Sequence, residues 1–128
     1  MSIEEALRDR LSDFEGLENK VFPLHAPKGI SAPYIIYVSK APQNIKSIDN
    51  TSMMFELQIE INILHNKYSS LKQLVREIVD DLENINETKS LGGYQIQELV
   101  LEGVAELYEH QVDMYRSALN ITLYFEEV

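Results

Sequence analysis

The feature that most restricts this chain lies at residues 53–63, where Met53, Phe55, Leu57, Ile59, Ile61 and Ile63 alternate with Met54, Glu56, Gln58, Glu60 and Asn62. Side chains of a strand point to opposite faces in turn, so a period of two predicts a long strand with one buried face and one wetter face. Such a strand needs neighbours on its edges and a layer over its apolar side. Two segments can supply that layer. Ile3, Ala6, Leu7, Leu11 and Phe14 recur at helical spacing behind a Ser2/Glu5 capping-box pattern, which predicts a helix over about 3–15 with Gly16 as its left-handed stop. Leu71, Leu74, Val75, Ile78, Leu82 and Ile85 follow a second such pattern, Ser70/Gln73, and predict an amphipathic helix over 70–85.

The remaining segments read as extended chain and turns. Val21-Phe22-Pro23-Leu24 is a short strand suited to a sheet edge, because Pro23 has no N–H to donate. Pro33 to Val38 is β-branched and aromatic, the composition of a strand buried on both faces. Tyr94 to Leu107, with Gly103 at a bulge, and Val112 to Phe125 form a hairpin. The second arm of that hairpin sets Ser117, Leu119, Ile121, Leu123 and Phe125 against Arg116, Asn120, Thr122 and Tyr124. Asn86 to Gly93 is a turn region. Residues 39–52, with Ser39, Pro42, Asn44, Ser47, Asp49, Asn50 and Ser52, form a flexible exposed loop. The element order is α-β-β-β-α-β-β, and strands joined without a helix between them favour antiparallel pairing. The predicted fold class is α+β, a mostly antiparallel sheet of four to five strands with two helices packed on it. A chain of 128 residues falls below the roughly 150 expected per domain, so residues 1–128 are expected to form one domain.

Charge narrows the partners. Lys and Arg number 11 against 21 Asp and Glu, a net charge of −10. Phosphate affinity comes from clustered cations, so a free nucleic-acid binder is excluded. The deficit is concentrated at the end of the chain, where Glu98, Glu102, Glu106, Glu109 and Asp113 follow one another with no Lys or Arg between them. That pattern marks either a soluble surface or an acidic surface with a task. No cysteine is present, which removes disulfides and thiolate chemistry and fits a reducing compartment. The acidic start of the chain is unlike a signal peptide, and no apolar run approaches the roughly 18 residues of a membrane span. Without a secretory route, the sequons at Asn50, Asn86 and Asn120 are chance matches.

Catalytic patterns are missing from the sequence. His25, His65 and His110 show no i, i+4 pairing of the kind that builds a metal site. Asp80, Asp81 and Glu83 fall on the polar side of the second helix, where a solvated face is expected rather than an acid–base pair. Gly92-Gly93 precedes a strand, whereas phosphate cradles open a helix. There is no Gly-x-Ser-x-Gly elbow, and Met53 and Met54 are read as core filling. The expectation is a protein that is not an enzyme and uses no cofactor or metal.

A leading helix, Val21-Phe22-Pro23, Pro33-Tyr34-Ile35-Ile36-Tyr37, a polar loop, the alternating strand at 53–64, the helix at 70–85 and a closing strand Met114-Tyr115-Arg116-Ser117-Ala118-Leu119-Asn120-Ile121 together resemble the tail completion proteins of long-tailed bacteriophages and prophages. These are also called tail terminator or tail-to-head joining proteins, and the resemblance spans nearly the whole chain. It implies a non-enzymatic virion assembly protein, made in the bacterial host cytoplasm and placed at the head–tail junction of the virion tail. Such a protein forms a ring, typically a homohexamer, on the head-proximal end of the tail tube and presents a surface to the head connector. Its partners would be further copies of itself, the tail tube protein and the head completion protein; the free chain can be a monomer, genome DNA would pass without specific binding, and no membrane is involved. On this reading Glu98, Glu102, Glu106 and Glu109 are candidates for an acidic channel surface that repels DNA. Asn44, Asp49, Asn50 and Met53 are candidates for partner contacts. The alternative is a small acidic binding or inhibitor protein that masks a basic partner such as a nuclease.

Overall fold

A computed structural model describes residues 2–40, 42–46 and 53–126. The first helix, α1, runs Ile3–Ser12 and is capped by the Ser2 hydroxyl, which accepts from the Glu5 backbone N–H at 3.1 Å. It stops earlier than predicted. Asp13 is the C-cap, and Gly16, at φ +86°, serves the turn that follows. Three strands come next, β1 (Val21–Pro23), β2 (Tyr34–Ser39) and β3 (Gln43–Lys46), and then the long alternating strand β4 (Met53–His65). The second helix, α2, spans Tyr68–Thr88. Its N-cap is Lys67 with no side-chain cap, so the Ser70/Gln73 pattern lies inside the helix. Its end is set by Lys89 in the left-handed region at φ 57°. The chain closes with β5 (Ser90–Leu91), β6 (Tyr94–Glu109) and β7 (Met114–Glu126).

The class is α+β, with two helices and seven strands rather than four or five among the described residues. The sheet order is β1-β2-β4-β7-β6-β5, with β3 also paired to β4. The two strands beyond the five of the predicted order come from segments with no periodicity of their own. β3 forms inside the predicted loop by lying against the part of β4 that β2 leaves free, with Gln43 opposite Glu56. β5 forms because Gly92-Gly93 makes a two-residue hairpin turn that sets Leu91 opposite Tyr94, with Gly92 at φ 60°. The expectation of antiparallel pairing fails once: β1 and β2 are parallel, Val21 opposite Ile35. The connection with Pro27, Gly29 and Pro33 is long enough to carry the chain back to the starting end of the sheet without a helix.

Both helices lie on one face of the sheet. Ile3, Leu7 and Leu11 of α1 and Leu71, Leu74, Ile78, Leu82 and Ile85 of α2 are buried in one cluster with Ile35, Leu57, Ile59, Ile61, Ile63, Leu119, Ile121 and Leu123. Each such side chain contributes about 1.5–3 kcal/mol by leaving water. Arg10 joins the helices through Asp81, Nε–Oδ2 at 2.7 Å and Nη2–Oδ1 at 3.2 Å, so Asp81 is a tether rather than part of a solvated face; Asp80 and Glu83 are exposed. The opposite face has no helix. Here β2 is less buried than predicted, with Ile36 half-buried and Val38 exposed. The sheet also curls. Leu24 and Val112, from beyond β1 and from the β6–β7 turn, line one hollow of about 310 Å³, and Tyr34 in β2 is held above its ordinary 10.0, first by burial and then by the Glu109 carboxylate.

Candidate functional site

The far part of β6 is built unlike the rest of the sheet. At its start the outer edge of β6 is occupied. Gln95 and Tyr94 pair with β5, Ile96 N donates to Lys89 O at 2.9 Å, and Lys89 Nζ donates to Gln97 O at 3.0 Å. Asn86 of α2 closes Leu99 from both directions: it accepts from the Leu99 N–H at 2.7 Å and donates to the Leu99 carbonyl at 2.8 Å. From Val100 to Glu109 no strand pairs with that edge among the described residues. Apolar side chains collect there: Val104, Leu107, Tyr108 and, in the turn, Val112 are 51, 47, 41 and 49% exposed. A free strand edge with exposed apolar groups is a template for association unless something opposes it.

The structure divides the four predicted acidic residues between two faces. Glu98 lies opposite Tyr124 on the helix-free face and Glu109 lies opposite Met114, the same face by alternation. Glu102 is the extra residue of a register shift between Leu101 and Gly103. Its carboxylate accepts from the hydroxyl of Thr122, which is buried on the helix-free side. Glu106 points the other way, opposite Ser117, and pairs with Lys72 of α2 at 3.2 Å. In an unbroken strand, residues 98, 102 and 106 would share a face; the extra residue at 102 reverses the facing of the residues after it. The Tyr68 hydroxyl first, and then the Lys72 ammonium, hold the Glu106 carboxyl below its ordinary 4.5. Glu109 pairs with Arg116 at 2.9 Å. Glu98 and Glu102 have no cationic partner in the described residues.

Around Glu106 the helix side of the same region carries rings in contact: His110 with Tyr108 at 4.9 Å, Tyr108 with Tyr115 at 5.1 Å and Tyr115 with Tyr68 at 5.5 Å. Lys72 lies over the Tyr68 ring at 5.6 Å. Nothing in the sequence pattern singled out this ladder, because it joins Tyr68 at the start of α2 to three residues of the hairpin. The helix-free face holds a trough of about 460 Å³, lined by Val38, Lys40, Gln58, Glu60, Glu102 and Thr122 among others. Of the predicted contact residues, Asn44 is exposed in β3 and Met53 opens β4, while Asp49 and Asn50 lie outside the described residues.

His65 contacts Asn66, Nδ1 to Oδ1 at 3.0 Å, and His110 stacks on Tyr108. No group of three His, Cys, Asp or Glu among the described residues could hold a metal ion. No described helix is long and apolar enough to cross a membrane. The region combines an open strand edge, exposed apolar and aromatic side chains, and acidic residues of which two are ion-paired, Glu106 with Lys72 and Glu109 with Arg116.

Comparison with solved structures finds the same architecture in a chain of the virion of a native gene transfer agent particle. The TM-score is 0.65 over 98% of this chain and 92% of that chain, at 15% sequence identity. That likeness is one of fold. No protein-family model matches the sequence, and no curated protein matches it.

Proposed function

We propose that the chain is a structural protein of a phage-like virion and, within that class, a tail terminator. It would close the head-proximal end of the tail tube as a ring, typically of six subunits, and join it to the head connector. The observation that carries the virion role is the likeness, over nearly the full length of both chains, to a component of a gene transfer agent particle. The narrower role is supported by the resemblance in element order and by an open strand edge flanked by exposed apolar residues. It is a role in assembly and not in catalysis, performed without cofactor or metal.

Negative-stain microscopy of the purified protein mixed with its cognate tail tubes tests this. Rings seated on one end of the tubes are expected. Decoration along the tube wall, or free tubes beside unbound protein, would refute the terminator role, and tight capture of a basic toxin instead would favour an acidic inhibitor.

A further inference from the structure

The two margins of the sheet differ in the charges they leave unpaired. The β6 margin and its turn, residues 94–113, hold Glu98, Glu102, Glu106, Glu109 and Asp113; Lys72 and Arg116 pair with Glu106 and Glu109, which leaves Glu98, Glu102 and Asp113 without a salt-bridge partner among the described residues. The other margin, formed by β1, β2 and the chain around them at residues 17–40, holds Lys20, Lys28 and Lys40 against Glu18 in the same stretch, with Asp9 and Asp13 beside Val21. These lysines are not neutralised within the chain. Lys20 donates to Ser31 and Lys40 to Gln58, both uncharged, and none of the three pairs with an acid among the described residues. Each margin also exposes apolar groups, Val104, Leu107 and Tyr108 on one and Leu24, 70% exposed, on the other. Leu24 is held at φ 67°, a left-handed conformation uncommon for a bulky residue.

We propose that the β6 margin of one copy docks on the lysine-bearing β1–β2 margin of the next, so that subunits join head to tail. The inference rests on the ring reading above and names the surfaces that make the ring. Charge selects this arrangement over a two-fold dimer. Two β6 margins face to face would set Glu98, Glu102 and Asp113, none of them ion-paired within the chain among the described residues, against the same three, and like charges brought together at an interface repel. Acidic against basic margin is attractive, and the exposed Val104, Leu107 and Tyr108 then meet apolar surface instead of water. Contacts between two different patches generate rings or open filaments. The curl that brings Leu24 and Val112 to one hollow keeps the two margins from facing directly away from each other, so successive additions bend toward closure.

A charge-swap experiment decides it. One variant carries Glu98→Lys and Glu106→Lys, the other Lys20→Glu and Lys28→Glu; all four side chains are at the surface, and circular dichroism confirms each fold. Association is followed by sedimentation at low salt and by ring formation on tube ends. Each variant alone should associate at least about tenfold more weakly than the unaltered chain, because its two margins now repel. An equimolar mixture should recover, because each variant then meets its complement. Recovery in the mixture supports head-to-tail docking. A mixture no better than its components, a glutamate-to-lysine variant that still associates by itself, or an unaltered chain that stays monomeric in solution and on tubes would overturn it. Unaltered rings on tube ends without recovery in the mixture would leave the terminator role standing and remove only this inference. Recovery in solution without any tube binding would do the reverse.

Discussion

The two halves of β6 share one strand and one partner, β7, yet have opposite surroundings. In Tyr94–Leu99, Ile96 and Leu99 are buried under α2, and the outer edge is closed by β5, Lys89 and Asn86. In Val100–Glu109 no residue is fully buried, and the edge is bare among the described residues. The difference is one of cover, since both halves stay paired with β7 as far as Met114, each with one extra residue, Gln97 in the first and Glu102 in the second. A strand can be complete in its hydrogen bonding on one side and still be an unfinished surface on the other. The first half is core; the second is exposed surface.

The contrast can be broken most sharply by removing one leucine from each half. Leu99→Ala should cost about 3 kcal/mol in urea unfolding, the usual range for a buried leucine that leaves a cavity. Leu107→Ala should cost less than about 0.5 kcal/mol, as exposed positions do, and should weaken ring formation instead. Equal costs would mean that the far half is packed after all. Next in size is Asn86→Ala, which leaves the Leu99 N–H and carbonyl without partners and should cost about 2 kcal/mol. It should also speed hydrogen exchange at Leu99 without changing exchange in β4. Thr122→Val removes the hydroxyl that Glu102 accepts from, and about 1 kcal/mol is expected from the same unfolding curves.

The smallest effect is electrostatic. Because Tyr68 and Lys72 favour the ionised form of Glu106 in the folded chain, its contribution is present above its ordinary 4.5 and is lost as pH falls through its lowered value. Lys72 responds in the opposite sense: the Glu106 hydrogen bond raises it, so its part fades only as pH rises through that raised value. Urea midpoints measured against pH should therefore show Glu106→Gln slightly below the unaltered chain near neutrality, with the two curves meeting in acid. A constant gap at all pH values would assign the loss to packing of the side chain rather than to its charge.

Much of the fold was legible in the sequence wherever a pattern ran long enough to express a period. The alternation in β4 and the apolar stripe of α2 each predict their element and its buried face, because the side chains that alternate are the ones that pack. The illegible parts depend on partners distant in the chain. Gln43–Lys46 becomes a strand only because β4 outruns β2, and the parallel pairing of β1 depends on where a proline-rich connection returns. The acidic residues were visible as a series but not as a surface. One extra residue at Glu102 decides that Glu98 and Glu106 part company, and a bulge leaves only a glycine as its trace in the sequence. The Asn86 clamp on Leu99 had no signal at all, since an asparagine in the last turn of a helix has many uses.

Hydrogen exchange across β6, measured for the free chain and again for the chain on its cognate tail tubes, tests the central claim most directly. In the free chain the outward-facing amides of residues 100–109 should exchange far faster than those of residues 94–99, and on the tubes they should become protected to a similar degree as the edge is covered. Tube-bound protein in which residues 100–109 exchange as fast as before would contradict the account, because the open edge of β6 would then have no part in assembly.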